Sequence, residues 1–227
     1  MRVGVLLPTF ETSVDRAWRV AAQAADQGID GVFAYDHLWP MGSPTRPALA
    51  PLPVLSAIAA RSPDLRVGPL VARVGLGSVD HVVTGLATLA RVAPGRVIAA
   101  LGTGDRLSAA ENEAYGLAFE DADHRRAELG RIATSLVGTA EVWIGAGGPA
   151  TNEIAASLDA TLNVWDAPID RVAELARDGR VSWAGPTPES MESHLDALRD
   201  AGATWAVVGP GADLGRLGGW RRANGVQ

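Results

Sequence analysis

The residues best suited to chemistry are an adjacent aspartate and histidine, Asp36-His37, which directly follow a β-rich run, Gly31–Tyr35. A histidine at the carboxyl end of a strand can donate a hydrogen bond to a cofactor carbonyl or transfer a proton near neutral pH. A histidine here can equally be structural, closing a loop and packing against Trp39. Position alone leaves both roles open.

Two glycine-rich turns follow other β-rich runs. The first, Gly102-Thr103-Gly104-Asp105, places two glycines and a hydroxyl where a bound molecule can approach the backbone. Asp105 is either a carboxylate acid or base, or the cap of the next helix. The second, Ala146-Gly147-Gly148, precedes a helix whose N-terminus favours a phosphate. Glycines also form ordinary tight turns, so each motif is weak by itself.

The composition excludes several kinds of chemistry. The 227-residue chain has no cysteine, and therefore no disulfide, thiolate metal site or thiol nucleophile. All 20 basic residues are arginine, against 26 acidic residues, for a net charge of -6. Without lysine there is no Schiff base or P-loop, and an acidic chain is not expected to bind nucleic acid. No His, Asp and Glu cluster has metal-site spacing, so we expect no metal.

Length and hydropathy set the expected organisation. No apolar run approaches the roughly 18 residues of a membrane helix, and Val3–Leu7 is too short for a signal peptide. We therefore expect a cytoplasmic protein that does not bind membranes and acts on a small molecule. With 47% hydrophobic residues, the chain is long enough for one large core, and we expect one domain over residues 1–227.

The elements that must position these motifs alternate between β-rich runs and helical repeats. Most of the runs are continuously apolar, as strands buried on both faces of a parallel sheet are. The eight candidate strands are Arg2–Leu7, Gly31–Tyr35, Arg66–Val71, Arg96–Leu101, Glu141–Gly145, Thr161–Trp165, Val181–Trp183 and Thr204–Val208. Helical spacing of apolar residues occurs between them, as at Val14–Ala25.

Eight such alternations predict an α/β fold, a compact (β/α)8 TIM barrel with few insertions, in which Val181–Trp183 is the weakest strand. Chemistry in these barrels lies at the carboxyl ends of the strands. All three motifs follow strands, so we expect them at one end of the barrel. Their shared placement supports a binding site more strongly than any one motif does.

The motifs in this order resemble the luciferase-like flavin and deazaflavin oxidoreductases. The similar segments are RVGVLLPTF, GIDGVFAYDHL, RVGPLV, GRVIAALGTGD, NEAYG, EVWIGAGGPA and GPTPESMESHLDALRDAGATWAVV. The resemblance covers most of the chain and implies a luciferase-like barrel with oxidoreductase or monooxygenase activity. Dimerisation is usual in this family, so the resemblance also implies a homodimer.

Within the family, the Asp-His pair and the Gly-Thr-Gly-acid turn look like the branch that uses the deazaflavin coenzyme F420. By motif match, the resemblance assigns proton transfer to His37 and Asp105, and we expect His37 to carry it with Asp105 orienting or sharing the proton. A bulged, often cis, peptide at Val71–Arg73 would support the cofactor ring, and Gly147-Gly148 would contact phosphate. The residues expected to bind the cofactor are Asp36, Val71, Ala72, Arg73, Thr103, Gly104, Gly147, Gly148 and Thr151.

Three functions remain open from the sequence. The first is an F420-dependent oxidoreductase that transfers a hydride to or from a small organic substrate, which the Gly-Thr-Gly-Asp turn favours. The second is a monooxygenase or reductase that uses FMN in the same barrel. The third is a reduced, non-catalytic barrel that binds a flavin or nothing. It arises because family members carry a substrate lid where Leu136–Ala140 lead almost directly into a strand.

Overall fold

Nine parallel strands form one sheet in the computed structural model, which describes residues 1–40 and 42–224. They are β1 (Arg2–Leu6), β2 (Gly31–Ala34), β3 (Arg66–Pro69), β4 (Ala72–Arg73), β5 (Ile98–Gly102), β6 (Glu141–Gly145), β7 (Thr161–Trp165), β8 (Val181–Gly185) and β9 (Trp205–Val208). Their order is β3-β2-β1-β9-β8-β7-β6-β5-β4. Val67 of β3 also pairs with Val97, just before β5, so the two edges of the sheet meet.

The predicted third strand is divided in two. Its first part, β3, pairs with β2, and its second part, β4, pairs with β5. The peptide bond between Leu70 and Val71, at the point of division, is cis. Since β3 and β4 share one position in the barrel, the prediction of a (β/α)8 TIM barrel is confirmed. The strand that looked weakest, β8, is five residues long and buried throughout.

Helices alternate with the strands and place the carboxyl end of each strand on the same side. They are α1 (Asp15–Asp26), α2 (Pro51–Arg61), α3 (Val79–Val92), α4 (Ala109–Ala114), α5 (Ala122–Leu136), α6 (Pro149–Ser157), α7 (Ile169–Leu175), α8 (Met191–Asp200) and α9 (Leu214–Asn224). A short 3-10 helix, Arg106–Ser108, directly precedes α4. Only four residues separate α5 from β6, as expected from the sequence. Within the described part of the chain, no helix is long and apolar enough to span a membrane.

Large aromatic side chains fill the inside of the barrel. Phe33 of β2, Trp143 of β6 and Trp205 of β9 are almost fully buried, with ring centroids 5.5 to 5.8 Å apart. These three strands are not neighbours in the sheet, so their side chains meet across the interior. Burial of each ring contributes about 1.5–3 kcal/mol. The packed interior separates the base, where the strands begin, from the mouth, where they end.

Candidate active site

His37 follows the carboxyl end of β2 and contacts a carboxylate that the sequence analysis did not single out. Its Nδ1 atom lies 2.9 Å from Oε1 of Glu111, on α4. The His37 side chain is 23% exposed, whereas that of Glu111 is 2% exposed. The barrel mouth therefore places a partly open imidazole against a buried acidic group.

The same carboxylate contacts a buried arginine. Oε2 of Glu111 lies 2.9 Å from Nη2 of Arg73, whose side chain is 3% exposed. Nη1 of Arg73 donates to the carbonyl of Ser108 at 3.3 Å. Burial lowers the pKa of Arg73, and the nearby Glu111 opposes that change. The Arg73 side chain, which the sequence analysis expected to contact the cofactor, thus contacts Glu111 and Ser108 inside the protein.

Asp36 has a different role from its neighbour His37. Its Oδ2 atom accepts a hydrogen bond of 2.9 Å from the backbone N–H of Arg73. This bond joins the end of β2 to β4, across the point where the predicted third strand divides. Burial raises the pKa of Asp36, while the hydrogen bond and the charge of Arg73 act in the opposite direction.

Asp105 caps the 3-10 helix. Its Oδ1 atom accepts hydrogen bonds from the backbone N–H groups of Leu107 and Ser108, at 2.9 and 3.1 Å. The Ser108 hydroxyl completes a capping box with the backbone of Asp105. Among the described residues, Asp105 makes no hydrogen bond to His37. Of the two roles that the sequence left open, the structure shows the cap, and it is Glu111 that contacts the histidine.

Aromatic side chains surround His37 at the mouth. The rings of Phe10 and Tyr35 stack with centroids 5.3 Å apart, and each lies 6.4 Å from the His37 ring. Trp165, at the end of β7, is 52% exposed and lies 6.1 Å from Tyr35. Burial raises the pKa of Tyr35 to about 12, so its hydroxyl stays protonated. We call these three residues, Phe10, Tyr35 and Trp165, the aromatic wall.

A groove of about 690 Å³ opens beside Glu111. Its walls are mostly apolar and come from the loop after β2 and from the region of α4. The lining residues are Trp39, Gly42, Pro44, Leu107, Ala110, Glu111 and Ala114. Within this described lining, Glu111 is the only ionisable side chain, and its charge is paired with Arg73.

The turn after β6 is held by a buried threonine. The Gly147 N–H donates to Oγ1 of Thr151 at 2.9 Å, and this hydroxyl donates to the Gly148 carbonyl at 2.8 Å. Gly148 has a φ of 137°, which side chains rarely tolerate, and it directly precedes α6. The turn thus has a fixed shape at a helix N-terminus, and phosphate binding there stays a prediction.

The remaining predicted cofactor residues lie around β4 and the turn after β5. Val71 packs over Gly102, where an added Cβ would meet its Cγ2 atom at 2.4 Å. Ala72 is buried in β4. The Thr103 carbonyl accepts a 2.9 Å hydrogen bond from Arg125, and Gly104 has a φ of 68°. Their contacts with a cofactor stay predictions. No cluster of metal-ligating side chains occurs in residues 1–40 and 42–224.

Sequence comparison identifies a family and similar curated proteins. Residues 1–141, more than half of the chain, match the family described as luciferase-like monooxygenase. An F420-dependent glucose-6-phosphate dehydrogenase from Nakamurella multipartita is 29% identical over 197 residues, which cover 80% of this chain and 56% of that protein. The chain therefore spans about half the length of this curated relative.

Solved structures share the fold at low identity. An F420-dependent secondary alcohol dehydrogenase, solved with an F420-acetone adduct, superposes with a TM-score of 0.77 and 13% identity, covering 94% of this chain and 95% of that one. The monooxygenase RslO1 from Streptomyces bottropensis gives a TM-score of 0.75 and 14% identity, covering 98% of both chains. At these identities the similarity shows the barrel fold alone.

Proposed function

Because the chain belongs to the luciferase-like monooxygenase family, we propose that it is an oxidoreductase that uses coenzyme F420 to transfer a hydride to or from a small organic substrate. The observation that carries the proposal is the partly exposed His37 beside the aromatic wall at the barrel mouth. The F420-dependent relative, which aligns with 80% of the chain, supports the choice of cofactor.

The residues at the mouth fit a deazaflavin. The aromatic wall offers flat apolar surface to a planar ring, and it remains partly open at Trp165. The turn of Gly147 and Gly148 leads into a helix whose dipole favours a phosphate. When bound, the deazaflavin accepts or gives a hydride at its central ring carbon. The chain must orient this ring against the substrate and exclude water.

His37 handles the substrate proton in this proposal. When an alcohol loses a hydride from carbon, its hydroxyl proton must also leave, and the O–H electron pair forms the second carbon–oxygen bond. An imidazole suits this transfer near neutral pH. Asp105 is engaged in capping the 3-10 helix, so we give the transfer to His37 alone.

We propose further that the substrate is uncharged and largely apolar, such as a secondary alcohol or ketone. The groove beside Glu111 offers Trp39, Pro44 and Leu107, and its described lining includes no arginine. A sugar phosphate would need cationic or backbone N–H partners to offset its desolvation. The lining therefore favours a substrate that differs from glucose 6-phosphate, the sugar phosphate in the name of the curated relative.

Titration of the purified chain with F420, and separately with FMN, tests the cofactor. Gly147→Glu adds a negative charge beside the predicted phosphate site, and Gly147→Ala is its control. The backbone of Gly147 is outside the left-handed region, and a Cβ there would lie 3.5 Å from Oγ1 of Thr151, so both side chains fit. We expect Gly147→Glu to weaken F420 binding by about tenfold or more, equivalent to roughly 1.4 kcal/mol, and the alanine variant to bind normally.

Other results would redirect the proposal. Binding of FMN and not F420 would favour the FMN-dependent monooxygenase or reductase, and binding of neither would favour the non-catalytic barrel. With F420 bound, comparison of 2-propanol with glucose 6-phosphate tests the substrate class. Faster turnover of the sugar phosphate would contradict the assignment of the groove.

A further inference from the structure

We infer that Glu111 is a positioning residue that keeps a proton on Nδ1 of His37 and so leaves Nε2 as the nitrogen that accepts the substrate proton. The part of this inference that concerns turnover rests on the proposed function. The location of the proton on the ring does not, because it is a property of the protein without cofactor or substrate.

The inference follows from the way both carboxylate oxygens are used. Oε1 of Glu111 lies 2.9 Å from His37 Nδ1, and Oε2 lies 2.9 Å from Nη2 of Arg73. An ionised carboxylate only accepts hydrogen bonds. A neutral His37 ring must therefore donate from Nδ1, and its lone pair is on Nε2. Among the described residues, Nε2 has no hydrogen-bond partner of its own.

Arg73 supplies the charge of opposite sign that a buried Glu111 carboxylate needs. The guanidinium keeps its charge in proteins, and a buried charge needs a partner of opposite sign. The side chains of Arg73 and Glu111 are 3% and 2% exposed, so water does little to replace either partner. Asp36, another nearby carboxylate, accepts a hydrogen bond from the backbone N–H of Arg73 through Oδ2.

Substitution of Glu111 by glutamine should move the His37 ring proton from Nδ1 to Nε2. A glutamine side chain has one acceptor oxygen and one NH2 group, whereas Arg73 offers only donors. The amide oxygen should therefore face Arg73, which leaves the NH2 group facing His37. The ring must then accept at Nδ1, and its proton moves to Nε2.

NMR spectra of the full chain, labelled with ¹⁵N at histidine, measure this directly at a pH where the ring is neutral. The chain has four histidines, and the spectrum of His37→Gln identifies the signals of His37. We expect a protonated Nδ1 in the wild type and a protonated Nε2 in Glu111→Gln. A wild-type ring protonated on Nε2 overturns the inference, even if Glu111→Gln fails to fold.

Turnover with F420 and 2-propanol tests the catalytic consequence. Glu111→Gln should lower kcat by about 10²-fold or more, because Nε2 then carries a proton, while F420 affinity changes by a few-fold at most. Glu111→Asp keeps a carboxylate and should recover part of the loss. Glu113→Gln, an exposed position on the same helix, is the matched control and should leave kcat unchanged.

The outcomes separate this inference from the proposed function. If the proton moves as expected but no F420-dependent turnover is found, the proposed function fails and the role of Glu111 in fixing the ring stands. If the proton moves and kcat stays at the wild-type value, Nε2 is not the accepting nitrogen and the inference is wrong.

Discussion

At the base of the barrel, Asp30 accepts hydrogen bonds from Nε and Nη2 of Arg221, at 2.6 and 2.9 Å, and a third from the backbone N–H of Val3. At the mouth, Glu111 contacts Arg73 and His37. The side chains of Arg221 and Asp30 are 21% and 15% exposed, against 3% and 2% for Arg73 and Glu111. Both ends thus pair a carboxylate with an arginine, but only the mouth pair is fully removed from water.

The Asp30–Arg221 and Glu111–Arg73 pairs also differ in the other groups that each carboxylate contacts. At the base, Asp30 joins α9 to the beginning of β1 through its contacts with Arg221 and Val3. Nearby, Glu141 likewise accepts hydrogen bonds from Arg66 and from the indole N–H of Trp143. At the mouth, the chain of contacts ends in a partly exposed imidazole. The base pairs thus join elements of the barrel, whereas the mouth pair also holds a partly exposed imidazole at the barrel opening.

Substitutions at the mouth and at the base should differ most strongly in their effect on turnover. His37→Ala should lower turnover by about 10²–10⁴-fold, because it removes the group proposed to accept the substrate proton. F420 affinity should change by a few-fold at most. Arg221→Ala, at the base, is the control and should leave the turnover of the folded protein unchanged.

Two results with His37→Ala would contradict this difference between the mouth and the base. If F420 binding and turnover are lost together, His37 holds the cofactor and is not the base. If neither changes, His37 has only the structural role that the sequence also allowed. Fluorescence titration with F420 alongside steady-state kinetics separates these cases.

A smaller effect concerns stability. Arg73→Met leaves the Glu111 carboxylate buried without its cation, which should cost about 3–5 kcal/mol in the free energy of unfolding. Arg221→Met breaks a pair that water can partly solvate, and should cost about 1–2 kcal/mol. Urea unfolding of both variants measures the difference. Equal losses would show that burial of the mouth pair has no energetic consequence.

The double variant Arg73→Met/Glu111→Met separates the cost of an unpaired charge from the contribution of the pair itself. Replacement of a whole buried ion pair by apolar side chains is often neutral, whereas removal of one partner is costly. We therefore expect the double variant to be more stable than Arg73→Met alone. If the second substitution lowers stability further, Glu111 is stabilised by more than its pairing with Arg73.

Features that depend on local sequence could be predicted, whereas features that depend on contacts between distant residues could not. The barrel was predicted from eight alternations of apolar strands with helices, because this pattern is visible in consecutive residues. His37 stood out because it directly follows a strand. Glu111 could not be identified in this way, because its role depends on a contact with His37, which lies 74 positions away in the sequence. In addition, α4 has the composition of an ordinary polar helix. Asp105 stayed ambiguous, since an aspartate after a strand serves equally well as a cap.

Substitution of Asp36, another carboxylate at the mouth, should have a weaker effect than the variants above. Burial raises the pKa of Asp36, so the folded protein holds this proton more tightly than the unfolded chain, whose Asp pKa is about 3.9. The stability that protonated Asp36 contributes is therefore present below the unfolded pKa and is lost as the pH rises through the folded pKa.

Asp36→Asn keeps an acceptor for the backbone N–H of Arg73 but cannot titrate. Urea unfolding at several pH values gives the unfolding free energy of the variant and of the wild type. The value for the variant minus the value for the wild type should increase as the pH rises from about 4 through the folded pKa. A difference that falls with pH would show that the charge of Arg73 outweighs the burial of Asp36 at the mouth.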